Sequence, residues 1–211
     1  MKTSDLTSFI KNAMAIGSRT VYFRDVIKIA TGHEILELEG EYLQMAQKIK
    51  ATLRNNLGQI SEDVKKNYTG RANELGNFLE PLVRDYINRV SDFHAATPFT
   101  SGGRRQAAGY PDITVKGEGK TLYVDCKIFQ RKTKESSLRA FYFKPSERNK
   151  ITESCPHVLI GFEVEAIGGG NKSPFVVNDF KIVDLYDLQV NFKPEFNANN
   201  PMIYRQEAIV S

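Results

Sequence analysis

The stretch "GYPDITVKGEGKTLYVDCKIF", Gly109 to Phe129, constrains the fold more than any other part of the chain. Two short apolar-alternating runs flank a glycine-rich turn, the pattern of a β-hairpin. In the second run Leu122, Val124, Cys126 and Ile128 share one face, and Tyr123, Asp125, Lys127 and Phe129 the other. In the first run Ile113 and Val115 oppose Asp112, Thr114 and Lys116 in the same way. A turn centred between Glu118 and Gly119 pairs residues whose numbers sum to 237. That register sets Ile113 against Val124 and Val115 against Leu122, so the apolar faces match. It also sets Asp112 against Asp125, with Cβ atoms about 5 Å apart. Two facing carboxylates repel, and Lys127 on the same face offsets only part of the cost. A hard divalent cation offsets more, because Mg²⁺ is commonly held by one or two carboxylates together with phosphate oxygens. Asp112 and Asp125 are therefore candidate Mg²⁺ ligands, with Lys127 beside them.

Charge points toward an anionic partner. The chain of 211 residues carries a net charge of +4, and Ser101–Lys150 alone hold 12 Lys and Arg against 5 Asp and Glu. A positive field around a carboxylate pair suits a polyanion such as nucleic acid. A metal held by two acids can polarise a phosphodiester and activate water, and an adjacent lysine can orient or deprotonate that water or offset charge growing on phosphorus. Within the basic region, Arg104 and Arg105 lie in the loop "TSGGRRQAAG". Arg131, Lys132, Lys134 and Arg139 follow the second strand. These six are the candidate nucleic-acid contacts.

At this point the residues resemble a known family. "PD" at Pro111-Asp112 followed by "DCK" at Asp125–Lys127 is similar to the PD-(D/E)-x-K signature of the restriction-endonuclease-like nucleases. The resemblance implies an α/β fold: a mixed central sheet with an antiparallel active-site hairpin, flanked by helices. It implies Asp112 and Asp125 as metal ligands with the Cys126 backbone carbonyl, Lys127 at the water, and Mg²⁺, replaceable by Mn²⁺, as cofactor. Members of the family often carry a further acid on the helix before the hairpin, and both Glu74 and Glu80 are placed to fill that role. Glu80 lies nearer the apolar edge of its helix, and "GNFLE" resembles the G-x-x-x-E of several members, which favours Glu80. "YTGRANELGNFLE" and the tail "KPEFNANNPMIYRQ" resemble segments of small type II restriction endonucleases. Asn197, Asn199 and Asn200 in that tail can bond adenine edges or simply form a turn.

The resemblance thus implies a Mg²⁺-dependent, sequence-specific endonuclease of double-stranded DNA that acts as a homodimer and has a cognate DNA methyltransferase as its companion. A structure-selective or nonspecific repair nuclease, and a silent DNA-binding module on the same fold, are the other readings. The first run of residues lacks a secretory h-region and no run is long enough to span a membrane, so a cytoplasmic protein without a membrane partner is expected. Cys126 and Cys155 are expected to be reduced, buried thiols. No His/Cys cluster, P-loop or G-x-S-x-G elbow supports another enzyme class.

One domain is expected: a helical part over 1–67, a catalytic core over 68–165, and C-terminal strands and tail over 166–211. Spacing predicts a helix through Leu43, Ala46, Ile49, Leu53 and Leu57, ended by Gly58. A second runs from Tyr68 to Val90 with a kink or restart at Pro81. "PSERNKITES" suggests a short helix capped by Ser146, and "HVLIGFEVE" a central strand.

Overall fold

A computed structural model of the chain describes residues 3–17, 19–90, 92–106, 108–131, 141–167, 174–193, 197–203 and 205–206. The chain groups into two compact units, Met1–Val21 with Gln189–Ser211, and Tyr22–Leu188. The smaller unit holds α1 (Thr3–Ile16) and α6 (Asn200–Ile203). It also carries most of a two-stranded sheet of β1 (Thr20–Tyr22) and β7 (Gln189–Asn191). The Thr20 hydroxyl donates to Asn191 Oδ1 at 2.9 Å.

The larger unit is α/β. After α2 (Phe23–Thr31) come α3 (Gly40–Asn55), α4 (Leu57–Asn67), a 3₁₀ turn (Ala72–Glu74) and α5 (Leu75–Ile87). The strands β2 (Phe93–Ala96), β3 (Ile113–Gly117), β4 (Lys120–Phe129), β5 (His157–Ala166) and β6 (Phe175–Asp184) follow. They form one five-stranded sheet in the order β2-β3-β4-β5-β6. Every neighbouring pair is antiparallel except β4 and β5. A parallel pair cannot be joined by a tight turn, so residues 130–156 carry the chain back to the starting end of β4. The result is a mixed sheet flanked by helices, with β4 at its centre and "HVLIGFEVE" as an interior strand.

The hairpin turn is the two-residue Glu118-Gly119, with φ of 54° and 74°. Positive φ at both central residues is the type I′ geometry that matches strand twist. Gly119 adopts it freely, and Glu118 is tied to Lys48 by an ion pair. The ladder runs from Gly117–Lys120 to Ile113–Val124 in the expected register. Burial departs from the simple alternation. Thr121 through Cys126 are all buried, because helices cover one face of β4 and an aromatic group covers the other. That group includes Phe23, Tyr110, Tyr123 and His157, meeting edge-on or tilted.

The helices bury apolar stripes against Val124, Cys126 and the neighbouring inward residues. In α3 the stripe is Met45, Ala46, Ile49 and Leu53, whereas Leu43 is 41% exposed. Gly58 does not end α3. The break falls at Asn56, and Gly58 sits in the first turn of α4. Pro81 does not restart α5, which continues through it and buries Leu75, Leu79, Val83, Tyr86 and Ile87. The expected helix around Ser146 is absent. Ser146 Oγ instead accepts the Arg148 N–H, and Asn149 Oδ1 accepts the Ile151 N–H. Such local side-chain bonds compete with helix formation. Among the described residues, no helix is long and apolar enough to cross a membrane.

Candidate active site

The regular ladder stops one residue short of Asp112. The Asp112 N–H donates to the Val124 carbonyl at 3.1 Å, one step out of the hairpin register. The Asp112 carboxylate turns toward β4, where Oδ2 accepts the Cys126 N–H at 2.8 Å. Asp112 and Asp125 therefore meet through their side chains rather than as a regular cross-strand pair. Both are buried, Asp125 to 2% exposure.

Lys127 closes the group. Its ammonium lies 2.6 Å from Asp125 Oδ2 and 3.7 Å from Asp112 Oδ2, and it donates to the Cys126 carbonyl at 3.1 Å. The contact with Asp125 is close but poorly angled, and Asp125 Oδ2 has no directed hydrogen bond. One cation is thus surrounded by two carboxylates and a backbone carbonyl. The Cys126 side chain points the other way, into the core, where burial pushes its thiol well up and keeps it protonated. Cys155 is likewise buried and free.

The electrostatics follow from crowding. Burial, then the Asp112 charge, raises the Asp125 carboxyl to about 7, against the pull of Lys127. Burial pulls the Lys127 ammonium down, but the Asp125 and Asp112 carboxylates together lift it above its ordinary value. Glu80, half-buried on α5, is raised to about 7 by burial and by Asp112, while Lys127, Lys150 and Arg84 oppose the rise. Glu80 therefore belongs to the same electrostatic group. Glu74 is exposed at the end of the 3₁₀ turn, where its charge acts on Tyr68.

The other candidate residues are scattered. Arg104 and Arg105 are exposed, and Arg105 lies over the Phe99 ring at 5.0 Å. Their turn is held by Thr100, whose N–H donates to the Arg104 carbonyl at 2.8 Å. The Arg131 side chain is 84% exposed and its Nε reaches Glu163 at 3.1 Å. Lys132, Lys134 and Arg139 lie outside the described residues. Asn199 Oδ1 accepts the Met202 N–H at 3.0 Å at the start of α6, the turn-forming use of an asparagine. Sequence reasoning missed two buried polar side chains. Lys150 is 2% exposed, and His157 is fully buried. The Tyr110 hydroxyl and His157 Nδ1 share a 2.7 Å hydrogen bond, and burial lowers that imidazole to about 3, so it stays neutral.

A family model described as the type II restriction enzyme MjaV family matches residues 16–207. The chain belongs to this family. A curated relative, the type II restriction enzyme MjaV of Methanocaldococcus jannaschii, is 32% identical over 214 residues. The match covers 90% of this chain and 87% of the relative. In this member of the MjaV family, the matched span includes the whole five-stranded sheet and every element that carries the carboxylate group.

Proposed function

We propose that the protein is a Mg²⁺-dependent type II restriction endonuclease of the PD-(D/E)-x-K kind, cutting phosphodiester bonds of double-stranded DNA at a specific sequence. One observation carries the mechanism: the Asp112 carboxylate, the Asp125 carboxylate and the Cys126 carbonyl converge on a single cation, the Lys127 ammonium. Membership of a type II restriction enzyme family supplies the reaction class.

The donor set fits Mg²⁺. The three oxygens are hard ligands, Asp125 Oδ2 retains lone-pair capacity, and their shared neighbour is already cationic. Among the described residues no group of three or more His, Cys, Asp or Glu could hold a metal ion by itself. Mg²⁺ does not require one, since it keeps waters and takes phosphate oxygens from substrate. Asp112, Asp125 and the Cys126 carbonyl would hold the ion. When bound, it would polarise the scissile phosphate and lower the pKa of a water.

The chain's own groups do the rest. Lys127 remains an ammonium at neutral pH, because two carboxylates stabilise its charge. It therefore serves as a hydrogen-bond donor, orienting water and meeting negative charge that grows on the phosphoryl oxygens. Glu80, raised to about 7, is poised to exchange a proton near neutrality. Arg104 and Arg105 on their anchored turn supply backbone affinity for DNA. Palindromic duplex calls for a homodimer, and self-protection calls for a DNA methyltransferase of the same specificity.

Digestion of a long duplex of known sequence with Mg²⁺ tests the reading. Discrete fragments are expected. A smear, or cutting confined to branched DNA, would remove sequence specificity. In the same assay Glu80→Ala is expected to slow cleavage by about 10²-fold, and Glu74→Ala by less than about 3-fold. The reverse order would move the fourth site residue to Glu74.

A further inference from the structure

Asp112 is placed differently from the other two residues of the carboxylate group. Asp125 and Lys127 lie inside β4, in register with Leu159 and Gly161 of β5. Asp112 lies just before β3, outside the register that begins at Ile113–Val124. Its N–H goes to the Val124 carbonyl and its carboxylate takes the Cys126 N–H. The seat of that carboxylate therefore depends on how the chain arrives at it.

Two residues upstream the chain is anchored at Tyr110, which is buried. Its hydroxyl shares the 2.7 Å hydrogen bond with His157 Nδ1. Its ring meets Phe23, Phe141 and Phe143 edge-on, with centroids 5.3, 5.6 and 6.0 Å away. His157 is a fixed partner. It starts β5 opposite Tyr123, its carbonyl accepts the Leu185 N–H at 3.0 Å, and its ring stands edge-on to Tyr123 at 5.0 Å. Among the described residues His157 Nε2 has no hydrogen-bond partner, so the Tyr110 hydroxyl is the partner of the imidazole. Without it both ring nitrogens would be buried unpaired, a costly state. Burial keeps the imidazole neutral, and burial with the Asp125 charge keeps the hydroxyl protonated, so the bond persists at neutral pH.

The tether from this anchor to the carboxylate is short and stiff. Only Pro111 lies between Tyr110 and Asp112, and Pro111 is buried as well. The pyrrolidine ring locks its own φ and confines the preceding residue to extended conformations. A shift at Tyr110 is therefore passed on to Asp112 rather than absorbed between them.

We infer that Tyr110 is a positioning residue of the active site: its hydrogen bond to His157 fixes the segment that sets the Asp112 carboxylate beside Asp125 and Lys127. This rests on the nuclease reading above, and it gives neither Tyr110 nor His157 a contact with metal or DNA.

Y110F in the full-length protein removes the hydroxyl and keeps the ring. Y123F is the control. It removes a hydroxyl from the same aromatic group, one that accepts the Thr152 N–H, while Asp125 keeps its place in the ladder. Calorimetric titration of Mn²⁺ into the DNA-free protein reads metal affinity, single-turnover cleavage of duplex in Mg²⁺ reads the rate, and melting in EDTA reads stability. Both variants are expected to melt about 5 °C lower, since each loses a buried hydrogen bond. Y110F is expected to bind Mn²⁺ about 10-fold more weakly and to cut about 10-fold more slowly, the cost of a misplaced ligand, with Y123F within about 2-fold of wild type in both. A Y110F protein with wild-type Mn²⁺ affinity, or a Y123F protein as impaired as Y110F, would overturn the inference. Should Y110F fail to fold, H157Q is read by the same criteria, and failure of both to fold would make the pair a core element and end the proposal. A wild-type protein that binds Mn²⁺ but leaves DNA uncut would overturn the nuclease reading alone, with the Mn²⁺ comparison still deciding the role of Tyr110. A wild-type protein that binds no Mn²⁺ would overturn both.

Discussion

Lys127→Ala is expected to lower the single-turnover rate of Mg²⁺-dependent DNA cleavage by about 10³-fold. The ammonium touches three oxygens at once: Asp125 Oδ2, Asp112 Oδ2 and the Cys126 carbonyl. On the proposed mechanism its removal deletes the donor that meets charge on the reacting phosphate, while affinity for duplex, assigned there to phosphate contacts of other basic residues, should change little. Stability supplies a second readout. Without Lys127, the metal-free protein holds two buried carboxylates with one cation fewer, and removing one partner of a buried ion pair costs about 3–5 kcal/mol in its strongest form. Lys127 is 28% exposed, so the lower end is expected. Added Mg²⁺ should then raise the melting temperature of the variant more than that of the wild type. A Lys127→Ala protein that cuts at the wild-type rate would remove Lys127 from the mechanism.

The hairpin was the most legible part of the chain, and for a specific reason. A period-two pattern on each strand and a two-residue glycine turn leave few registers that match the apolar faces, and the observed ladder is the one that sums to 237. The same reasoning placed Asp112 squarely opposite Asp125. It missed the slip at Asp112, because that slip is set by a backbone bond to Val124 and a side-chain bond to Cys126, neither of which has a periodic signature. Helix ends were less legible. Gly58 reads as a stop because glycine so often ends a helix, yet the chain breaks at Asn56 and glycine is tolerated in the next first turn. Leu43 reads as core by spacing and is exposed, since the packed face of α3 is centred on Ala46, Ile49 and Leu53. Lys150 was invisible. Its neighbours Asn149 and Thr152 are bonded to Ser101 and Tyr123, residues distant along the chain, and in the sequence it is one more lysine in a basic region.

Asp125→Asn is expected to abolish cleavage, by about 10³-fold or more, while making the metal-free protein more stable at alkaline pH. The two effects have one origin. The Asp125 carboxyl is raised to about 7 by burial and by the Asp112 charge, although Lys127 favours the charged form. Between about pH 4 and 7 the folded protein holds a proton there that the unfolded chain has released. Stability therefore falls as pH rises through that window, and it stays lower above it. An asparagine mimics the protonated carboxyl in shape and never ionises, so it escapes this loss. The advantage should be near zero at about pH 4 and reach a few kcal/mol by about pH 8. That corresponds to roughly 5–10 °C in melting temperature for a chain of this size. Glu80 contributes a slope of the same sign in both proteins, and His157, lowered to about 3, a slope of opposite sign below its unfolded value. Both cancel when the variant is compared with wild type at each pH. Melting curves in EDTA from pH 4.5 to 8.5 give the comparison directly. Saturating Mg²⁺ should reverse it, stabilising wild type at pH 8 and leaving Asp125→Asn almost unmoved. A stability difference that ignores pH would mean that Asp125 is ionised throughout, and that the crowding of acids around Lys127 costs the fold nothing.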